Sequence, residues 1–163
     1  MPRKRIYPQF GTVSHGTLRS VDLLDSFADE LDYQSKRGNA PNKREARRLI
    51  NEARRMLRKW DDDEDEPEFA SELVNELQDA LDECAAPYSY FGNLEGDGTD
   101  FGFWPSIERL EDDARDGEIL KVNDLVDVEP GYHGQIMLVT DHGNVTYGYT
   151  KRNGRFVQVW SCV

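Results

Sequence analysis

Apolar positions recur with a helical period through the first half of the chain and with a two-residue alternation through its last third. In SVDLLDSFADELDYQSK, Val21, Leu24, Ala28 and Leu31 share one helical face; Ser20 is placed to cap the start, Asp22 sits in the first turn, and Gly38 and Asn39 end the run. PNKREARRLINEARRMLRKW opens on Pro41 and repeats Ala46, Leu49, Ile50, Ala53, Met56, Leu57 and Trp60 along one stripe. PEFASELVNELQDALDEC lines up Phe69, Leu73, Leu77, Ala80, Leu81 and Cys84 against a face of acids. These patterns predict helices over about 20–35, 41–60 and 68–84, with a shorter one over 105–117 ending at Gly117.

The last third is rich in Val, Ile, Thr, Tyr and Trp and is broken by DHGN and by Asn153-Gly154, a strong hairpin signal. It predicts a three-stranded antiparallel meander. With EILKV as a strand and the aromatic runs of YSYFGNLEGDGTDFGFWP as a hairpin, the expectation is an α+β fold. Its antiparallel sheet would hold about five or six strands, with the helices on one face. The length of 163 residues suits a single domain, 1–163, with a basic, flexible N-terminus over about 1–14.

Charge changes this picture more than composition does. The net charge is -12. Residues 1–19 carry Arg3, Lys4, Arg5 and Arg19 and no acid, and residues 36–59 carry ten Lys or Arg against Glu45 and Glu52. Past Trp60 the sign inverts: residues 61–108 hold sixteen Asp or Glu and no Lys or Arg. So acidic a chain is repelled by phosphate backbones and anionic membranes, which makes direct nucleic-acid binding an unfavourable reading. No stretch approaches the ~20 apolar residues of a membrane span, and no apolar run follows the basic start, so the expectation is a cytoplasmic protein with no membrane partner. Cys84 and Cys162 lack metal-site or framework spacing and read as reduced thiols.

The hairpin sequence invites three readings. As a calcium loop, Asn93, Glu95, Asp97 and Gly98 match the first, third, fifth and sixth positions, but Trp104 stands where a bidentate Glu is required. As a base-stacking platform, Tyr88, Tyr90, Phe101 and Phe103 lack neighbouring cations, the nearest after them in sequence being Arg109. As structure, alternating aromatics fill one sheet face and a Gly-rich loop over 93–100 closes the hairpin; this reading is preferred. His15, His133 and His142 are far apart, and no nucleophile elbow, zincin helix or phosphate loop is present. The expectation is therefore a non-enzyme with no catalytic residues, no cofactor and no metal ligands.

SHGTLRSVDLL (14–24), APYSYFGNLEGDGTDFGFWPS (86–106) and LVTDHGNVTYGY (138–149) together resemble a group of small acidic proteins encoded by bacteriophages, prophages and plasmids. GDGTDFGFW is the most specific segment. The resemblance supplies no catalytic residues; it implies a mobile-element accessory protein working in a bacterial host cytoplasm.

Two functional expectations follow. In the first, the chain acts through protein–protein interaction, as an acidic nucleic-acid mimic that occupies the basic surface of a host defence or DNA-handling protein. Its binding face would comprise Asp61, Asp62, Asp63, Glu64, Asp65, Glu66, Glu68, Glu72, Glu76, Asp79 and Glu83. On one helix, Glu68 to Glu83 would space carboxylates ~5.6 Å apart, sparser than the ~3.4 Å of a DNA strand, so Asp61 to Glu66 would have to contribute. In the second, the chain is a structural or self-associating adaptor whose acidic and basic helices compensate each other, within the fold or in a homodimer.

Overall fold

A computed structural model describes residues 5–61 and 65–163. The chain divides into two compact units, Met1–Trp104 and Pro105–Val163. The architecture is α+β, as the sequence predicts. No helix among the described residues is long and apolar enough to cross a membrane.

The first unit runs β1 (Gly11–Ser14), α1 (Ser20–Lys36), α2 (Lys43–Lys59), α3 (Ala70–Asp82), β2 (Ser89–Leu94) and β3 (Asp97–Pro105). The helices fall where the periodicity places them, with ends shifted by a residue or two as fraying termini allow. Arg19 rather than Ser20 is the residue preceding α1. Asn42 caps α2, its side chain accepting from the Glu45 amide at 3.1 Å, which puts Pro41 outside the helix. The apolar stripes converge in one core: Leu24, Phe27, Leu31, Leu49, Ala53, Leu77, Leu81 and Cys84 are all but fully buried. Phe27 of α1 meets Phe91 of β2 and Phe101 of β3 edge-on, at centroid distances of 5.1 and 5.4 Å, and Phe91 meets Phe103 at 4.9 Å. The aromatic hairpin thus supplies core.

Its turn is shorter than the loop over 93–100 that the sequence suggests. The strands extend to Leu94 and restart at Asp97, leaving a Glu95-Gly96 turn in which Gly96 adopts φ +87°, a conformation costly for other residues. The Asn93 amide donates to the Gly98 carbonyl at 2.6 Å across it.

The single sheet of five or six strands is corrected to two sheets. In the first the order is β1-β3-β2. β1 lies within the stretch 1–14, whose basic composition predicts a flexible N-terminus; here Gly11, Thr12 and Ser14 pair antiparallel with Phe103, Gly102 and Phe101 of β3, with an irregularity at Val13. With both edges of β3 occupied, the aromatic hairpin has no ladder positions left on β3 for the C-terminal strands.

The second unit holds α4 (Ile107–Arg115), β4 (Leu120–Val122), a 3-10 turn at Leu125–Asp127, β5 (Gln135–Val139), β6 (Val145–Thr150) and β7 (Phe156–Cys162). β5, β6 and β7 form the predicted antiparallel meander. β4 joins it parallel to β5, not antiparallel, with Leu120 opposite Ile136. The connection permits this: residues 123–134 separate the two strands, and a parallel pair needs a crossover of about a dozen residues.

Candidate functional site

α2 presents its buried stripe to α1 and α3 and its cations outward. Arg48 is the hub of the α2–α3 seam: its guanidinium reaches Glu45 at 2.6 Å and Glu52 at 2.8 Å on its own helix, and Glu76 of α3 at 2.6 Å. Hydrogen bonds from Arg48 hold the Glu45 carboxyl below its ordinary value. Arg54 faces the other way, to Asp29 and Asp32 of α1, both at 3.3 Å. Lys36 also binds Asp32, at 2.7 Å, and the Lys36 hydrogen bond is the main reason the Asp32 carboxyl is depressed. Solvent screens pairs this exposed, so they register the helices more than they stabilise them.

The remaining cations of α2 behave differently. Lys43, Arg44, Arg47, Arg55, Arg58 and Lys59 are exposed and make no ion pair among the described residues. An open groove of about 420 Å³ runs between α1 and α2, lined by Lys36, Lys43, Arg47 and Arg54 with Asp32 beneath them. Internal compensation of the basic helix is therefore partial.

The predicted acidic face is also redistributed. α3 begins at Ala70, so Glu68 precedes the helix and Glu83 follows its last residue. Glu72, Glu76 and Asp79 remain on it, and Glu76 is engaged by Arg48. Asp65, Glu66, Glu68, Glu72, Asp79 and Glu83 are exposed and carry no ion pair among the described residues. Asp61 is exposed too and has a partner of its own. Asp62, Asp63 and Glu64 lie outside the described residues. The acids expected on one helix therefore lie partly on α3, as Glu72, Glu76 and Asp79, and partly on its flanks, as Glu68 and Glu83.

A second constellation has no sequence signature at all. His15 follows β1, and Asp97 and Asp100 lie on β3; one ligand atom from each falls within 4.8 Å of the others. His15 Nε2 is 3.2 Å from Asp97 Oδ2 across 82 positions of sequence. The backbone enforces the approach. Ser14 pairs with Phe101, and the Gly16 amide donates to the Thr99 carbonyl at 3.2 Å, which lays residues 14–16 along the start of β3. The other oxygen of Asp97 accepts from the Thr99 amide at 3.0 Å and its hydroxyl at 2.8 Å. Those bonds, with His15 contributing less, hold the Asp97 carboxyl below its ordinary value. Asp100 is 8% exposed, and its Oδ1 is buried with no hydrogen-bond partner.

The cysteines offer no nucleophile of comparable interest. Cys84 is buried beneath α3 and donates to the Ala80 carbonyl, and burial pushes its thiol up to about 12. Cys162 on β7 is half-buried and is likewise raised by burial.

No protein-family model, no curated protein and no solved structure matches the chain.

Proposed function

We propose that this chain is a mobile-element accessory protein that acts by binding a basic surface of a bacterial protein through the exposed carboxylates around α3. One observation carries the reading. Glu76 is taken up by Arg48, whereas Asp65, Glu66, Glu68, Glu72, Asp79 and Glu83 are exposed and make no ion pair among the described residues. Carboxylates left in solvent beside a net charge of -12 project negative potential outward and steer cationic partners. The acids lie on α3 and on its two flanks, so the partner surface that fits is basic and long enough to span the helix.

The test is capture from bacterial lysate by the full chain, compared with a variant in which Glu68, Glu72, Asp79 and Glu83 become Gln or Asn. A specific partner that is recovered at low salt, released as the Debye length contracts and lost with the variant is the expected result. Recovery that is indifferent to both salt and the four substitutions would defeat the proposal.

A second reading rests on the exposed cations of α2, namely Arg44, Arg47, Arg55 and Arg58, in the same unit as those acids. The chain carries both halves of a complementary interface, and two copies could join basic face to acidic face. Sedimentation at low and high salt separates this from the first reading: a salt-sensitive dimer supports it, and a monomer at both excludes it.

A further inference from the structure

We propose that His15, Asp97 and Asp100 form a divalent transition-metal site, with Zn²⁺ the ion of best fit. The proposal begins with what the fold does to three side chains that sequence keeps apart. Two backbone ladders converge here, β1 with β3 and β3 with its own hairpin partner β2, so Asp97 and Asp100 stand on a paired strand and His15 directly follows one. One ligand atom from each residue already lies within 4.8 Å of the others. One pair, His15 Nε2 and Asp97 Oδ2 at 3.2 Å, stands at nearly the ~3.4 Å edge of a tetrahedron with metal–ligand bonds of ~2.0–2.1 Å.

Burial of Asp100 is the independent pointer to a ligand. A carboxylate oxygen withdrawn from water normally accepts a hydrogen bond, and Asp100 Oδ1 accepts none. The residue is more than nine-tenths buried and offers a carboxylate oxygen to the same small volume as the exposed His15 and the partly exposed Asp97. A cation there would complete its coordination. Asp97 is prepared for the role as well: the Thr99 amide and hydroxyl fix its Oδ1 and leave Oδ2 turned to His15, an outer layer of hydrogen bonds that orients a metal-bound carboxylate.

The donor set selects the ion. One imidazole with two carboxylates suits a borderline metal such as Zn²⁺ better than Ca²⁺ or Mg²⁺, which call for more oxygen donors and no nitrogen. The missing calcium-loop Glu at Trp104 therefore does not bear on this site, because the third donor comes from His15, outside the hairpin. Three protein ligands leave a tetrahedral ion one position for water or an external donor.

The experiment is calorimetric titration of the full chain with Zn²⁺ in excess Mg²⁺, which occupies the abundant surface carboxylates. It is paired with histidine-selective NMR of the ring nitrogens. One Zn²⁺ per chain is expected, with the His15 ring resonances shifted and those of His133 and His142 unmoved. His15→Ala and Asp97→Asn each weaken binding by at least about tenfold, while His142→Ala leaves it unchanged. Because His15 is exposed, His15→Ala retains the fold, and the NMR reading needs no substitution at all. Absence of saturable Zn²⁺ binding, or binding that persists unweakened in His15→Ala with the His15 ring unshifted, overturns the proposal.

Discussion

Replacing Gly102 by alanine tests the pairing on which the first unit's architecture rests. A Cβ built at Gly102 lies 2.1 Å from the Gly11 carbonyl oxygen, 2.8 Å from the Gly11 carbonyl carbon and 3.0 Å from the Thr12 Cα. All three are backbone atoms of β1, so no rotamer change relieves the overlap; β1 must move away from β3. Overpacking of a closed contact costs about 1–3 kcal/mol. The upper part of that range applies, because Phe10 and Val13, which pack on the core at either end of the contact, move with the strand. For a unit of this size a loss of about 2 kcal/mol lowers the melting temperature by about 8–16 °C. The assay is thermal melting of the full chain by circular dichroism, alongside hydrogen exchange at the Gly16 amide, whose bond to Thr99 reports β1–β3 docking. Gly98→Ala is the control: no atom lies within 4 Å of its Cβ and its φ is unremarkable, so the change stays within about 0.5 kcal/mol. If Gly102→Ala melted within about 2 °C of the parent with Gly16 protection intact, β1 would not occupy the edge of β3 and the reasoning would fail.

Phe27→Ala should cost about 3–5 kcal/mol, since it removes the ring that touches both strands of the hairpin, and chemical denaturation checks this as a lowered midpoint. In the folded chain near neutral pH, Cys84 should resist a disulfide reagent while Cys162 reacts; equal rates for the two would contradict the burial that raises the Cys84 thiol to about 12. Asp32, whose folded carboxyl is depressed chiefly by Lys36, contributes stability above its unfolded value of about 3.9 and loses it as pH falls through the lower folded value. Asp32→Asn should accordingly cost about 0.5–1 kcal/mol at neutral pH and nothing in strong acid, a convergence that melting curves across that range would reveal.

The helices and the C-terminal meander were legible because their information is local. A stripe such as Ala46, Leu49, Ile50 and Ala53 repeats within a few turns, and the Asn153-Gly154 turn declares its hairpin within a handful of residues. The aromatic hairpin was legible for the same reason: Phe101 and Phe103 alternate into the core, but Phe91 joins them there in place of Tyr88 and Tyr90, which stay partly exposed. Charge was legible as totals. The flip of sign at Trp60 is plain in the chain, but which charges remain outward is not: Arg48 could pair along its own helix or across to α3, and helix packing made it do both.

Three features belong to tertiary structure alone, each because it depends on residues far apart in sequence meeting at a backbone edge. The four residues of β1 have no alternation long enough to announce a strand, and only the free edge of β3 makes them one. β4 has three residues whose partner lies beyond a crossover, so its parallel pairing, which the length of residues 123–134 allows, is not written in its own composition. His15, Asp97 and Asp100 form no motif, since 82 positions separate the first two; the β1–β3 register closes that distance to 3.2 Å. Sequence by itself determined which faces are apolar and where the charge lies, because those are properties of residues within a few turns of one another. Strand edges, registers and the meeting of distant donors were decided by the fold, because a ladder position has no existence until its partner strand arrives.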